Sequence, residues 1–220
     1  HPHERISPTG LVFAFGAYFL WGFLPLLFIA VAASGAIEIV AWRIVLALAF
    51  CAVLLTVTRG WRRLLVIVRN RSTLGALVLA AFVILINWSV FIYAALNVQV
   101  IEASLGYFTN PIVTVLLGVL VLKERLRPLQ WVAVGVSVVA VLVLAIGYGS
   151  FPWIALSLAF SFGFYGLVKK RVGPTVDAIG GLTVETAVLS PLAVGALVVI
   201  GLTSGLTLGA ISPVHTALLL

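Results

Sequence analysis

The chain has 220 residues, 63% of them hydrophobic and 9% charged, with a mean hydropathy of +1.28. A soluble domain carries about a quarter charged residues, so this apolar surplus excludes a water-soluble globule and demands lipid. The net charge of +7 and pI of about 10.2 would point to nucleic acid in a soluble protein; here the placement of the charges excludes that partner.

Backbone polar groups in lipid must be paired within the protein, which leaves helices or closed barrels. The apolar runs are continuous and close to twenty residues long, without period-two alternation, so helices are expected. Seven spans are predicted, at about residues 10–33, 37–58, 74–96, 101–122, 129–148, 152–168 and 179–202. Residues 214–220 resemble the start of an eighth. Ala30-Val31-Ala32 has the look of a cleavage site. The run before it is too long for a signal core and contains Pro25, so it is taken as the first span. The single cysteine, Cys51, excludes an internal disulfide or a thiolate metal site. The sequence opens His-Pro-His and has no methionine, so a fragment of a longer chain is expected.

Basic residues alternate along the connections. Arg59, Arg62, Arg63, Arg69 and Arg71 follow span two. Lys123, Arg125 and Arg127 follow span four, and Lys169, Lys170 and Arg171 end span six. With Arg5, these account for every basic residue except Arg43. The intervening loops SGA, NVQV, GYGS and GLTSGLTLGAISPVH carry no Lys or Arg. Such a bias places the N-terminus in the cytoplasm and makes the protein a multi-pass component of the cell (inner or plasma) membrane. The basic runs are expected to be solvated and to set orientation only. Trp131 and Trp153, at span ends, fit interfacial anchoring; Trp21, in mid-span, fits it less well.

Four charges lie outside this pattern. Arg43 sits inside span two, where a charge costs about 2.5–3.5 kcal/mol on insertion scales. It is expected to face protein or water and to orient an anionic group, unless it snorkels to the headgroups. Glu38 and Glu102 stand near span starts, where a carboxylate complements the helix dipole. Glu185 lies about two turns into span seven, with no basic neighbour nearby in sequence; Thr183 and Thr186 are expected to support it. It is the main candidate for proton coupling, with Glu102 the second.

Two stretches repeat. FAFGAYFLWGFL (13–24) matches SLAFSFGFYGLV (157–168), with Trp21-Gly22 over Tyr165-Gly166 and Tyr18 over Phe162. AIEIVAWRIVLA (36–47) then matches AIGGLTVETAVL (178–189), which sets Arg43 opposite Glu185. Five spans per unit is an odd number, so the second unit would be inverted, as in many secondary transporters. The expected domains are a first repeat over 10–148 and an incomplete second over 152–220. Within span four, Asn110-Pro111 is expected to break the helix and expose a carbonyl to a cavity. Gly106, Gly163, Gly166, Ser157 and Ser161 are expected at close helix contacts.

The stretches AYFLWGFLPLLF (17–28), EIVAWR (38–43), NWSVFIYAALN (87–97), EASLGYFTNPIV (102–113), LGVLVLKERL (117–126), LAFSFGFYGLVKK (158–170) and VETAVLSPLA (184–193) resemble the EamA-like family of the drug/metabolite transporter superfamily, and its RarD-type members most closely. The resemblance implies an all-α polytopic bundle of ten helices in inverted five-helix repeats, with both termini cytoplasmic and transport by alternating access. This chain would then lack the last helices. It departs from the family at Ile29, where relatives carry a lysine, and at Gln99, where a histidine is frequent.

The expected function is secondary transport of a small metabolite or drug-like compound, and the alternative is flipping of a lipid headgroup or lipid-linked metabolite. An intramembrane enzyme is disfavoured: His1, His3 and His215 lie in tails or loops, and no aspartate lies within a span. A retinal protein would need a mid-span lysine, and none is present. The expected pathway residues are Tyr18, Trp21, Arg43, Asn87, Trp88, Tyr107, Asn110 and Tyr165. No cofactor or metal is expected. The expected partners are a small-molecule substrate and the lipid bilayer, with a homodimer compatible with the sequence and no nucleic acid.

Overall fold

A computed structural model describes residues 8–123, 128–148 and 151–219. Arg5, His1, His3, Arg125, Arg127, Gly149, Ser150 and Leu220 lie outside the described residues. The elements are α1 (Pro8–Ala30), α2 (Gly35–Val57), α3 (Trp61–Arg69), α4 (Arg71–Leu96), α5 (Val100–Leu122), α6 (Pro128–Tyr148), α7 (Trp153–Val172), α8 (Ala178–Thr203) and α9 (Pro213–Leu219). A 3₁₀ turn, Ala32–Ser34, joins α1 to α2. Among the described residues all regular structure is helical. Gly10–Ala30, Ala32–Val57, Arg71–Leu96, Val100–Val121 and Ala178–Thr203 are long and apolar enough to cross a membrane. The seven predicted spans correspond to α1, α2 and α4–α8, and α9 occupies the place of the eighth.

The sequence-based expectation missed α3. Residues 61–69 were expected as a solvated basic connection, but WRRLLVIVR repeats its apolar side chains at helical spacing and buries Ile67. Asn70 then ends α3 and caps α4, its side-chain oxygen accepting from the backbone N–H groups of Ser72 and Thr73. Asp177 caps α8 in the same way, through Gly180 N–H.

α4 is the central helix. It packs on α7, α8 and α2, and touches α1 and α5. Its buried face includes Ala80, Ala81, Ala94 and Ala95, small side chains that let neighbouring backbones approach. α5 lies along α7 and α2 lies along α8. α1 is loosely held, with Phe13, Phe15 and Tyr18 all more than 70% exposed, an apolar surface suited to lipid.

The connections gather at two ends. At one, Ile67 of α3 packs with Leu77, Val172, Val176 and Val184, bringing the basic α3 segment beside the basic end of α7. At the other, Ser34 Oγ meets Thr207 Oγ1 at 2.6 Å and His215 Nε2 at 3.2 Å. Glu38 belongs to this second cluster. It is buried and accepts from the Thr207 backbone N–H at 3.0 Å and hydroxyl at 2.9 Å. It stands in the first turn of α2, where a carboxylate complements the helix dipole as expected, and it also ties the start of α2 to the α8–α9 connection, because a buried carboxylate needs specific donors.

Two further expectations change. Pro111 does not break α5, which continues from Val100 to Leu122. Proline removes one donor, to the carbonyl of Tyr107 one turn back, and the rest of the ladder carries the helix through. Pro191 in α8 leaves the Ala187 carbonyl in the same position, and there the Ser190 hydroxyl donates to it at 2.8 Å. Gly106 and Gly163 do stand at close contacts: a Cβ at Gly106 would meet the Ala155 carbonyl oxygen at 2.8 Å, and one at Gly163 would meet Val113 at 3.0 Å. Gly166, by contrast, has open space around it.

Gly106→Val is therefore expected to force α5 from α7 and to destabilise by about 1–3 kcal/mol, the usual range for overpacking. Gly166→Ala is expected to leave stability unchanged or slightly raised. Thermal unfolding of both variants in detergent micelles checks this.

Candidate functional site

A cavity of about 260 Å³ opens between α1, α2, α4, α5 and α7. Its walls carry Tyr18, Trp21 and Leu24 from α1, Arg43 from α2, and Asn87, Trp88 and Phe91 from α4. α5 adds Tyr107, Asn110 and Pro111, and α7 adds Phe162. Helical spacing explains the set. Positions 18 and 21, 88 and 91, and 107, 110 and 111 each recur at three or four residues, which stacks them on one face of a helix. Rings meet edge to face along the wall: Tyr18 on Trp21 at 5.7 Å, Phe91 on Tyr107 at 5.7 Å, and Tyr107 on Phe162 at 5.8 Å. The volume is near the lower end of small-molecule sites, about 300–1,000 Å³.

Arg43 is half-buried, and its guanidinium carbon lies 4.4 Å from the centroid of the Trp88 ring. A cation over indole gains about 0.5–2 kcal/mol, more when water is excluded. Among the described residues its side chain forms no ion pair; the salt bridge found there joins two other residues. Arg43 also borders a second cavity, of about 330 Å³, whose other lining residues are all apolar.

Asn87 was expected to meet substrate, but its polar atoms are engaged within the protein. It is 2% exposed. Its Nδ2 donates to the Leu158 carbonyl at 3.2 Å and to Ser161 Oγ at 3.0 Å. Its Oδ1 accepts from the Tyr107 hydroxyl at 3.1 Å. One amide thus joins α4, α5 and α7 and fixes the Tyr107 ring. Asn110 accepts from Thr114 at 3.4 Å, which leaves its NH₂ group directed at no described partner.

Tyr165 and Glu185 form a separate site. Glu185 is 1% exposed and accepts from Lys169 Nζ at 2.8 Å and from the Tyr165 hydroxyl at 3.0 Å. Lys169 reaches it over Gly181, where an added Cβ would stand 2.7 Å from Nζ. Tyr165 is not among the described lining residues of the cavity; its ring lies 6.3 Å from that of Phe162, which is. The threonines expected to support Glu185 do not: Thr183 donates to the Ile179 carbonyl and Thr186 to that of Leu182, each at 2.7 Å. Back-bonding along the own helix is the nearest option for a helical hydroxyl. Lys169, expected as a solvated charge, is the partner that sequence reasoning missed. Its signal was the spacing of Phe162, Tyr165 and Lys169 along one face of α7. Glu102 lies in the first turn of α5, partly exposed. It is five residues before Tyr107, about 7 Å along the helix axis, and touches neither site.

A model of the EamA-like transporter family matches residues 8–146. The chain belongs to the EamA-like transporter family. It is 49% identical to Protein RarD of Streptomyces exfoliatus, over 98% of this chain and 68% of that protein. It is 41% identical to Protein RarD of Escherichia coli K12, over 84% of this chain and 62% of that protein. It is likewise 41% identical to the uncharacterized transporter YojE of Bacillus subtilis, over 89% of this chain and 66% of that protein. Within the family the chain is of the RarD type, a multi-pass helical membrane protein, and it spans about two thirds of the length of these relatives. No solved structure matches it.

Lys169→Ala is expected to destabilise by about 3 kcal/mol, the lower end of the range for stranding a buried charge, because Lys169 is itself 28% exposed. Lys169→Met combined with Glu185→Leu is expected to recover most of that loss. Unfolding midpoints of the single and double variants decide it.

Proposed function

We propose that this chain forms the greater part of a secondary transporter for a small metabolite or drug-like compound, working by alternating access. The observation that carries this is the mid-bundle cavity, a concave aromatic space with one cation in its wall, within a chain of an EamA-like transporter. Its dimensions suit a small molecule, and its aromatic faces and few polar groups suit orientation without tight capture. The two expected repeats, 10–148 and 152–220, would supply opposite walls of the pathway, α1, α2, α4 and α5 on one side and α7 on the other. The N-terminus would lie in the cytoplasm of a cell whose inner or plasma membrane holds the protein.

In this scheme the groups divide by task. Tyr18, Trp21, Trp88, Tyr107 and Asn110 contact substrate, and Asn87 positions Tyr107. Glu185 is the proposed coupling carboxylate, since it is held between α7 and α8 by donors that a proton would release. Glu102, at a helix end, is the weaker second choice. Any movement that exposes Glu185 to one side of the membrane must first part it from Lys169 and Tyr165, which makes the pair a natural clasp between these helices.

Proteoliposomes test the scheme. With a proton gradient imposed, flux of the transported compound is expected to accelerate for the unaltered protein and to lose that dependence in Glu185→Gln. Retained dependence excludes Glu185 as the coupling group. Trp88→Ala is expected to reduce flux by about 2- to 12-fold, the scale of losing one aromatic contact of about 0.5–1.5 kcal/mol.

A further inference from the structure

Four ionisable side chains stand inside the described long helices away from the basic ends; Glu102 is partly exposed in the first turn of α5, and of the other three two are satisfied. Glu38 is held by Thr207. Glu185 is held by Lys169 and Tyr165. Arg43 is not answered by any carboxylate among the described residues. It is the ninth residue of α2, about 12 Å along the axis from the helix start, which is deep for a charge that has only a ring beneath it. Burial of a charge without a counter-charge is costly.

The surroundings of Arg43 are consistent on every side. α1, α4, α5 and α7 present rings, apolar side chains and the amides of Asn87 and Asn110 to the cavity. The second cavity that Arg43 borders offers only apolar lining besides it. Arg43 is therefore the sole ionised group among the described residues lining either space. Among the described residues, a ligand entering there meets one cationic side chain and no carboxylate.

We propose that the cavity takes a small organic monoanion, a carboxylate on an aromatic or otherwise apolar body, with its charge paired to Arg43. This rests on the cavity being the transport pathway and adds the class of compound. Guanidinium matches a carboxylate through two parallel hydrogen bonds. A dianionic phosphate would leave one negative charge unpaired in a space with a single cation. An amine would bring a second positive charge beside Arg43. The body of the ligand then stacks among Trp88, Tyr107 and Phe162, whose faces and edges suit a flat ring.

A matched series decides between these classes: 3-phenylpropanoate, 3-phenylpropanol, 3-phenylpropylamine and phenylalanine, which share one body and differ in charge. Binding is read on the whole protein in micelles by quenching of tryptophan fluorescence, to which Trp88 contributes, and by the rise in Tm that binding produces. The acid is expected to bind about tenfold or more tighter than the alcohol, with the amine and the zwitterion weaker still. Arg43→Gln is expected to erase the preference for the acid, and Arg43→Lys to keep part of it. Equal effects of the four compounds, including no effect of any, overturn the proposal, as does a preference for the acid that survives Arg43→Gln. The ranking on the unaltered protein stands even if the Gln variant fails to fold. Flux in proteoliposomes separates this from transport itself. Arg43-dependent binding of the acid without flux refutes transport and leaves the anion site standing. Flux of the alcohol or amine that exceeds its leak through protein-free vesicles and matches that of the acid overturns the anion preference and leaves the transporter.

Discussion

The side-chain amide of Asn87 holds the middle of the molecule together, because three helices converge on it. Its NH₂ group binds the α7 backbone at Leu158 and the hydroxyl of Ser161, and its oxygen receives the Tyr107 hydroxyl from α5. In lipid there is no hydrophobic drive to press helices against one another, so close packing and interhelical hydrogen bonds must do it. The contacts around Asn87 combine both. Gly106 brings the α5 backbone against Ala155, and Ala94, Ala103, Ile154 and Leu158 close the space nearby. With these three helices fixed, the rings of Tyr107 and Phe162 are fixed too, and they form the inner wall of the cavity.

Charge is handled in three different ways within one bundle. Glu185 receives an ammonium and a phenol. Glu38 receives a backbone N–H and a hydroxyl from Thr207, and the Trp42 indole N–H from its own helix at 3.4 Å. Arg43 receives a ring. The first two solutions join elements: α7 to α8 at one end of the molecule, and α2 to the α8–α9 connection at the other. The third joins α2 to α4 only weakly, and Arg43 borders two cavities. A clasp at each end and, among the described residues, a cation without an ion pair in the middle is an arrangement in which the middle is the part left free to interact.

Much of this was legible along the chain. Apolar run length gave the helices, since a bilayer dictates it directly. The helical spacing of Tyr18 and Trp21, and of Tyr107 and Asn110, marked the faces that meet in the cavity, and the residue matched to Tyr18 in the internal repeat, Phe162, lines the same space. Other features were not legible. The helicity of 61–69 was masked by its arginines. Asn110-Pro111 read as a break, although one missing donor is a small loss to a helix held on several sides.

The sequence by itself determined that the protein is a helical membrane bundle and which of its polar residues lie within the long apolar helices, because those follow from local composition and period. It also determined the segregation of the basic residues. Only the tertiary structure decided which polar groups answer one another: that Lys169 leans across Gly181 to Glu185, that Thr207 holds Glu38 from 169 residues away, that Asn87 turns to its neighbours, and that Arg43 is left with Trp88. The physical reason is that hydrogen bonds and ion pairs act over about 3 Å. Whether two groups come that close depends on how helices cross and rotate against each other, which neighbouring residues in the chain do not encode.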